Sequence, residues 1–510
     1  MFHFLNIYIL CIHNMYIPLH GVHTYVHVIY MYILYIMYIL YILNNTFLSN
    51  IVSSIYKIII YIGISMRSKV SFNKNQVQVL PFTLLPSSFP RKNFEKAKGI
   101  QVLLNELIHK VAHDNNFLIK SLKSTIDADP FTAKLFNIYE TIYKEGFSQT
   151  LSLGLLRSDY MLHENQIKQV ELNTIASSFG GIVTVTTQYH KYILSEVGHA
   201  DKIKNIPENN PISGLCKGLV YAWKLYDNEK AVILFVVESI TYNVCDQRFH
   251  EFEISKINPD IKIIRRSLRD LVSEAKLGPN KQLIVGDLEV SVVYFRSGYE
   301  VEAYPTEREW EIRLLIERSK AIKCPSIQYH LAGTKKVQQS LAYPNVLNVL
   351  LKDDNTVKQI QEVFAGLYSL EFNNEAEVII DNAMSDPKKY VLKPQREGGG
   401  NNVYNEDIKT RLESMRNSEE RTAWILMDRF YPPVQKNYIV RAHNEPFEDN
   451  HLDFSDVVSE LGVYGVIIGN NNDIIYNEEV GHILRTKPSN ENEGGIAAGI
   501  GAIDSPYLIS

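Results

Sequence analysis

Cysteine is scarce and scattered. Cys11, Cys216, Cys245 and Cys324 are the only four, no two form a Cys-x-x-Cys pair, and no histidines cluster at zinc-ligand spacing. A disulfide scaffold and a structural zinc site are therefore excluded as organising features, and a reducing, cytosolic compartment is the simplest reading. Each thiol is read as a small buried hydrophobe rather than a nucleophile. Blocks of Lys/Arg interleaved with aromatics are missing too, and the formal charge of −5 with a pI near 6.3 gives no general basis for nucleic-acid binding. Any bound anion must be held by local design. No tandem repeat marks the globular part, and the P-loop signature is absent: no Gly-Lys-Ser/Thr follows the glycines at 398–400, and Gly333-Thr334-Lys335-Lys336 lacks the upstream glycine.

The amino-terminal segment lacks charge altogether, with no Asp, Glu, Lys or Arg before Lys57. It is rich in Tyr, Ile, Leu, Met and His, and Tyr-Ile-Leu/Met recurs four times over residues 32–43. A period of three matches neither an amphipathic helix nor a strand. A membrane span around residues 26–43 has the right length, but tyrosine prefers the interface to the hydrocarbon centre. A signal peptide would begin with positive charge and a transit peptide would be Arg-rich. We expect residues 1–65 to be an extension outside any fold, with Met66 as an alternative start and no membrane association. Mass spectrometry of the native amino terminus tests this, and peptides from residues 1–60 would refute it.

What is present beyond that segment is ample core material. Of the 510 residues 45% are apolar, enough for two or three domains. Residues 81–90 read as an extended entry. Ile100, Leu103, Leu104, Leu107 and Val111 share a helical face, as do Leu135, Ile138, Tyr139 and Ile142 before Gly146 ends the pattern. Strand-like runs stand at 169–172, 231–237, 292–295, 390–393, 424–427 and 464–468, with a helical segment at 310–322. Alternating strands and helices predict an α/β fold. Composition shifts near residue 228 and near Gly333, so 229–333 is expected to be an inserted domain, its 231–237 run apolar enough for a parallel strand buried on both faces.

One stretch carries the strongest chemical signal. Tyr390-Val391-Leu392 ends on Lys393 and opens into Pro394, Gln395, Arg396, Glu397, Gly398, Gly399, Gly400, Asn401, Asn402, Val403 and Tyr404. Three consecutive glycines allow backbone N–H groups to converge on phosphate oxygens while Lys393 adds a point charge. Glu397 in an anion site makes most sense when a divalent cation bridges the two, which points to a nucleotide bound with Mg²⁺. Glu171 and Asn173, two apart on a strand, present two oxygens to one side. Arg485 and Lys487 precede the small-residue run Glu493-Gly494-Gly495-Ile496-Ala497-Ala498-Gly499, which suits a mobile lid. Arg157 and Arg296, at strand-end positions, can bind carboxylates bidentately.

In chain order, VELNTIASSFGG, YFRSGY, LAGTKKVQQ, VLKPQREGGGNNVY, SELGVYGV and LRTK followed by EGGIAAG resemble eukaryotic glutathione synthetase over residues 81–508. That resemblance implies an ATP-grasp ligase with an inserted parallel α/β substrate-binding domain and a glycine-rich lid. It implies a cytoplasmic homodimer that joins γ-glutamylcysteine to glycine with ATP and Mg²⁺ through an acyl phosphate, with no nucleic-acid partner. Residues 66–228 would form the first part of the ATP-grasp body, 229–333 the insert, and 334–510 the rest of the body and the lid.

Residue by residue, the resemblance puts ATP on Glu171, Lys335, the loop residues from Lys393 through Asn402, and Tyr404. Met427, Asp428, Arg429, Phe430 and Glu460 would line the adenine and ribose side, with Lys487 and Glu493 completing the nucleotide site. Glu171, Asn173 and Glu397 would hold Mg²⁺. Arg157, Ile175, Ala176, Ser177, Ser178, Thr241, Tyr242, Asn243 and Gln247 would bind the peptide with Arg296, Ser297, Gly298, Tyr299, Arg485, Ile496 and Ala497. Arg157, Ser178, Gly398 and Arg485 would act in catalysis. The chain departs from the family's usual residues at Ala176 (commonly Ser), Ser297 (an acid), Asp428 (Glu) and Glu493 (Asp), and the family's amino-terminal helix gives way to the tyrosine-rich stretch. Two alternatives differ in outcome: a homoglutathione synthetase using β-alanine, against which Ala497-Ala498 speaks, and an inactive nucleotide-binding homologue.

Overall fold

The computed structural model describes residues 65–67, 77–241, 243–441, 454–496 and 499–510, with backbone alone for 65–67 and 77–79. Tyr242, Ala497, Ala498 and the extension expected at 1–65, apart from the backbone of Ser65, lie outside the described residues. The fold is α/β and is organised around three larger sheets.

The central sheet has seven strands in the order Gln435–Val440, Phe82–Thr83, Ala502–Asp504, Ile474–Pro488, Phe454–Gly469, Ser152–His163 and Gln166–Asn173. Because side chains alternate across a strand, it separates two cores. Val463, Ile467, Tyr160 and Leu172 enter one with the helix Arg91–His113, and Tyr464, Val466, Ile468 and Leu155 enter the other with the helices Gly180–Glu196 and Pro211–Leu225. Gln435–Val440 also pairs with the start of Phe454–Gly469, Tyr438 opposite Phe454 and Gln435 opposite Val457. That second pairing closes five strands into a ring, and Ile439, Val457 and Ala502 share a small core there.

A second sheet is built from Val232–Val236, Leu288–Phe295, Ile263–Arg266 and Ile322–Cys324, all parallel, with the antiparallel hairpin of Ala275–Leu277 and Leu283–Val285 at one edge. Every residue of Val232–Val236 is buried, as its unbroken apolar run predicts for a parallel strand. The helix expected over 310–322 is shorter than predicted. It runs Glu307–Arg318, opened by a Thr306/Glu309 capping box. It ends at Ser319 because Ile322 pairs with Val292 in the sheet, and a parallel-sheet partner outweighs helical periodicity.

The third sheet is antiparallel, in the order Leu367–Ser369, Trp424–Asp428, Tyr390–Pro394, Val403–Tyr404. Its outer face is covered by the helices Asn374–Ser385 and Asp407–Met415 through Ile380, Leu392, Leu412 and Leu426. The glycine-rich stretch is the connection between its two last strands, with Leu392 opposite Val403. Gly146 ends the helix Pro130–Glu145 at φ +85°, as its position after the apolar face predicts.

Candidate active site

Strand register on the central sheet sets the first group of side chains. Arg157 stands opposite Asn173 and Asp159 opposite Glu171, while Glu460 stands opposite Arg485 on the neighbouring pair. Arg157 and Asp159, two apart, share a face and form a bidentate pair, Nε to Oδ1 at 2.7 Å and Nη2 to Oδ2 at 2.8 Å. Asn173 Nδ2 and Arg485 Nη2 donate to the same Oδ2 at 2.9 and 2.8 Å. Arg485 Nη2 also reaches Glu460 Oε1 at 2.5 Å. With its amide nitrogen turned to Asp159, Asn173 keeps its oxygen for the other side.

Two buried lysines face Glu171 from other elements. Lys335 opens the helix Lys335–Leu341 and Lys393 stands near the end of Tyr390–Pro394; both are at least nine-tenths buried. Lys335 Nζ donates to Glu397 Oε1 at 3.0 Å and to the Arg396 carbonyl at 2.5 Å, and Lys393 Nζ donates to the Val170 carbonyl at 3.0 Å. Burial opposes ionisation of Glu171, yet Lys335, Lys393, Arg485 and Arg157 together hold its carboxyl down at about 2. Burial, aided by the negative charge of Glu171, raises Glu397 above the usual carboxylate range against the pull of Lys335. Burial pushes Lys393 down, with Lys335 adding to it. Lys335 moves up despite burial because Glu397 and Glu171 flank it. Two ammonium groups and two carboxylates forced together out of water form a site prepared for a polyanion and a cation.

The glycine-rich loop lies over this group. Gly398, Gly399 and Gly400 have φ of +95°, +72° and +77°, three successive left-handed residues that side chains resist. The N–H groups of Gly400 and Asn402 are held by the Glu493 carboxylate, the latter at 3.1 Å, so two of the loop's amides meet on one carboxylate. Asn401 Nδ2 ties the loop to itself through the Gly399 carbonyl at 3.0 Å. Asn402 Nδ2 donates to the Tyr404 hydroxyl at 3.4 Å. Arg429 joins the two lid segments, Nη1 to Asn405 Oδ1 at 2.5 Å and Nη2 to Asn492 Oδ1 at 2.9 Å, and lies over the Tyr404 ring at 5.4 Å. Lys487 Nζ donates to the Asn492 carbonyl at 2.6 Å. On the far side of residue 499, Arg441 binds the Gly499 and Ile500 carbonyls.

Between the antiparallel sheet and the central sheet, Met427 and Phe430 pack with Ala365, Met161, Val170 and Leu367 in a small apolar cluster. Such a slot suits a planar aromatic base. Asp428 is held by the Tyr368 hydroxyl at 3.1 Å, and both pack against Gly366, where a Cβ would sit 2.1 Å from Asp428 Oδ2 and 2.5 Å from the Tyr368 hydroxyl and so displace one or both.

On the opposite flank Arg296 Nη1 donates to the Ser177 carbonyl at 3.0 Å and Nη2 to Ser178 Oγ at 2.7 Å. The segment Ile175 through Phe179 is held in an uncommon shape, with Ala176 at φ +51° and Phe179 at +77°. Ser178 Oγ reaches the Ala176 carbonyl at 2.9 Å, Tyr464 donates to the Ser178 carbonyl at 2.6 Å, and Asp246 accepts from the Phe179 and Gly181 amides. Thr241 Oγ1 accepts from the Asn243 amide and from Gln247 Nε2, each at 3.2 Å. The Asn243 side-chain oxygen is buried without a partner, as a ligand-facing atom would be. Gly298, at φ +98°, takes the Tyr304 hydroxyl on its carbonyl at 3.1 Å. Tyr299 and Glu300 lie against Gly398, so the 294–299 segment meets the glycine-rich loop.

Several expected residues face elsewhere. Arg396 turns its guanidinium to Asp129 at 2.7 Å, on the cap of the helix Pro130–Glu145. Gln395 Oε1 takes the Lys336 amide at 3.1 Å. Pro394 sits in the strand opposite Trp424, and Ser297 and Ile496 are buried. Sequence reasoning assigned no role to Asp159, Asp246 or Tyr464. The alternation of Arg157 with Asp159 on one strand face was the available signal for the first.

Among the described residues no three His, Cys, Asp or Glu side chains form a metal cluster, and no helix is long and apolar enough to cross a membrane. Cys216 and Cys324 are buried free thiols.

The family model described as eukaryotic glutathione synthase, ATP binding domain, matches residues 45–508, reaching upstream of the resemblance read from residue 81. The curated glutathione synthetase of Xenopus laevis is 41% identical over 454 residues, 88% of this chain and 94% of its own. That of Homo sapiens is 40% identical over the same extent. The chloroplastic glutathione synthetase of Arabidopsis thaliana is 39% identical over 435 residues, 84% of this chain and 78% of its own. Among solved structures, a glutathione synthetase-like effector of Globodera pallida in its apo form shares the fold with a TM-score of 0.71 at 24% identity, covering 90% of this chain and 96% of that one.

Proposed function

The chain belongs to the eukaryotic glutathione synthetase family, and from that premise we propose how the cleft above performs the family's reaction. The protein is an ATP-dependent ligase of the ATP-grasp type that makes glutathione from γ-glutamylcysteine and glycine. A carboxylate and an amine do not condense in water unaided. The cysteinyl carboxylate attacks the γ-phosphorus of ATP, ADP leaves, and the glycine amine then attacks the acyl phosphate carbonyl through a tetrahedral intermediate. That intermediate releases phosphate and the amine proton to leave the amide.

The observation that carries this assignment is the convergence of Lys335 and Lys393 on Glu171 and Glu397 beneath three left-handed glycines. Lys335, Lys393 and the loop amides would neutralise charge on the transferring phosphoryl group. Met427 and Phe430 would enclose adenine, with Asp428, Arg429, Glu460, Lys487 and Tyr404 around the ribose and phosphates. Arg157 and Ser178 would orient the acceptor carboxylate, and Arg485 with the Gly398 amide would stabilise the oxyanion. Arg296, Tyr299, Asn243 and Gln247 would hold the peptide, and the Ala176 backbone takes the place of the hydroxyl that the family's serine brings. Glu493 and Arg429 would draw the two loops over the acyl phosphate and keep water out.

Mg²⁺ fits the residues present. Glu171 and Glu397 repel each other, and Asn173 holds its amide nitrogen on Asp159, leaving an oxygen to offer. Two carboxylates and one amide suit an ion that takes its remaining ligands from phosphates and water. When bound it would offset phosphate charge.

We further read 66–228 and 334–510 as the ATP-grasp body and 229–333 as the insert, supported by a sheet whose strands all fall between Val232 and Cys324. A homodimer and a cytoplasmic location remain part of this reading, the latter supported by the free thiols of Cys216 and Cys324. The test is ADP release by the full chain with γ-glutamylcysteine plus glycine or β-alanine. Activity with glycine is expected; preference for β-alanine would transfer the assignment to the homoglutathione enzyme, and no release with either amine would defeat it.

A further inference from the structure

We infer that Asp159 is the positioning residue of this active site: it decides which guanidinium hydrogens of Arg157 and Arg485 remain for substrate, and which atom of Asn173 faces the cation. The inference deepens the function proposed above and rests on it.

Asp159 is fully buried, and a lone carboxylate in that position is tolerated only when paired. Both of its oxygens are engaged. Oδ1 takes Arg157 Nε, and Oδ2 takes Arg157 Nη2, Asn173 Nδ2 and Arg485 Nη2. Oδ2 carries three of these four hydrogen bonds and Oδ1 carries one, so both oxygens are committed to the two arginines and Asn173, and Asp159 acts through the groups it holds.

What it leaves over is specific. Arg157 uses Nε and Nη2 on Asp159 and presents Nη1. Arg485 uses Nη2 on Asp159 and Glu460, while its Nε is buried without a partner. An unpaired buried guanidinium nitrogen is a donor waiting for an acceptor, here one supplied by substrate. Three strands are built to permit this. Asp159 stands opposite Glu171 on one side and Gly462 on the other. A Cβ at Gly462 would lie 2.6 Å from Ile483 Cγ2, 2.7 Å from Asp159 Oδ1 and 3.0 Å from Arg157 Cδ, so a side chain there would crowd the pair and the neighbouring strand together.

The test uses the full chain, with Asp159→Asn as an isosteric replacement that removes one acceptor and turns a donor toward the guanidinium hydrogens. Expected are a rise in KM for γ-glutamylcysteine and a fall in kcat, each on the order of ten-fold or more. The Kd of metal-free ADP, held on the Lys335 and Lys393 side, should move less than about three-fold. Gly462→Ala crowds the same carboxylate, and Ile483 beside it, without changing charge; where it folds it should give the same split, and it also serves if Asp159→Asn does not fold. Folded variants with wild-type constants, or with losses falling equally on ADP affinity and peptide KM, would overturn the inference. A wild-type chain that releases no ADP would instead sink the proposed function.

Discussion

Gly399 offers a measurement of what loop shape alone contributes. Its φ is +72°, and a Cβ built there meets nothing nearer than Glu493 Oε2 at 4.0 Å. Gly399→Ala therefore adds no clash, removes no side chain and changes no charge. The only penalty is that of an L-residue in the left-handed region, about 1–2 kcal/mol, reduced slightly by the smaller entropy that alanine loses on ordering. A net penalty of about 1 kcal/mol lowers the population of the closed loop by about five-fold, since 1.4 kcal/mol corresponds to ten-fold. Steady-state ADP release should show kcat/KM down by about that factor, with the melting temperature unchanged because the loop is exposed. Gly398→Ala shares the backbone penalty at φ +95° and also brings a Cβ to 2.9 Å from Glu300 Oε1. It should lose more activity than Gly399→Ala. Equal activity in both variants and wild type would refute the claim that these left-handed residues shape the working loop, and a falling melting temperature would mean the glycines support the fold instead.

Three further expectations follow from the electrostatics and the clasp. Glu397→Gln should lose Mg²⁺-dependent turnover. Because burial raises its carboxyl, protonation in wild type should remove kcat/KM at a pH above the ordinary carboxylate range, an acid limb that a pH–rate profile reads directly; a limb at the ordinary position would refute the assignment. Arg429→Ala cuts the link between Asn405 and Asn492 and should let water reach the acyl phosphate, so ADP released per glutathione formed rises above one; unchanged stoichiometry would remove Arg429 from the lid. Burial depresses His330 and His482 to about 3 and His109 to about 4. The unfolded chain takes up protons below the ordinary histidine pKa of 6.5 while the folded chain does not, so stability falls as pH drops through 6.5 toward those values. Between pH 7 and 5.5 the three together should remove on the order of 4 kcal/mol, readable by urea unfolding, and a flat profile there would show that these rings do not stay neutral.

Much of the chemistry is written locally and could be read from sequence. The three glycines, the lysine before them and Glu397 sit within eight consecutive positions, and Glu171 and Asn173 share a face because strands alternate. The core faces of Arg91–His113 and Pro130–Glu145 follow from helical spacing. What stayed hidden depends on partners far away in the chain. Asp159 looks like any polar strand residue until Arg485, 326 positions later, reaches it. Glu493 could be seen as part of a lid, but not that its carboxylate sits on the amides of Gly400 and Asn402. The helix predicted through Ile322 ended early for the same reason, since periodicity carries no knowledge of the strand that claims Ile322.

The ring of five strands has a consequence for synthesis. Phe82–Thr83, almost the first described strand, is paired on one side with Gln435–Val440 and on the other with Ala502–Asp504, and Pro506–Ile509 lies beside Ser87–Pro90. A ribosome making this chain must finish nearly all of it before Phe82–Thr83 has both of its neighbours. At about 5–20 residues per second, that leaves the early segments waiting for tens of seconds with unpaired edges. Arg485 and Glu493 arrive in the same final stretch. A nascent chain halted within Phe454–Gly469 would carry the glycine-rich loop and both lysines without Arg485 to join Asp159, so nucleotide affinity could emerge before ligase activity.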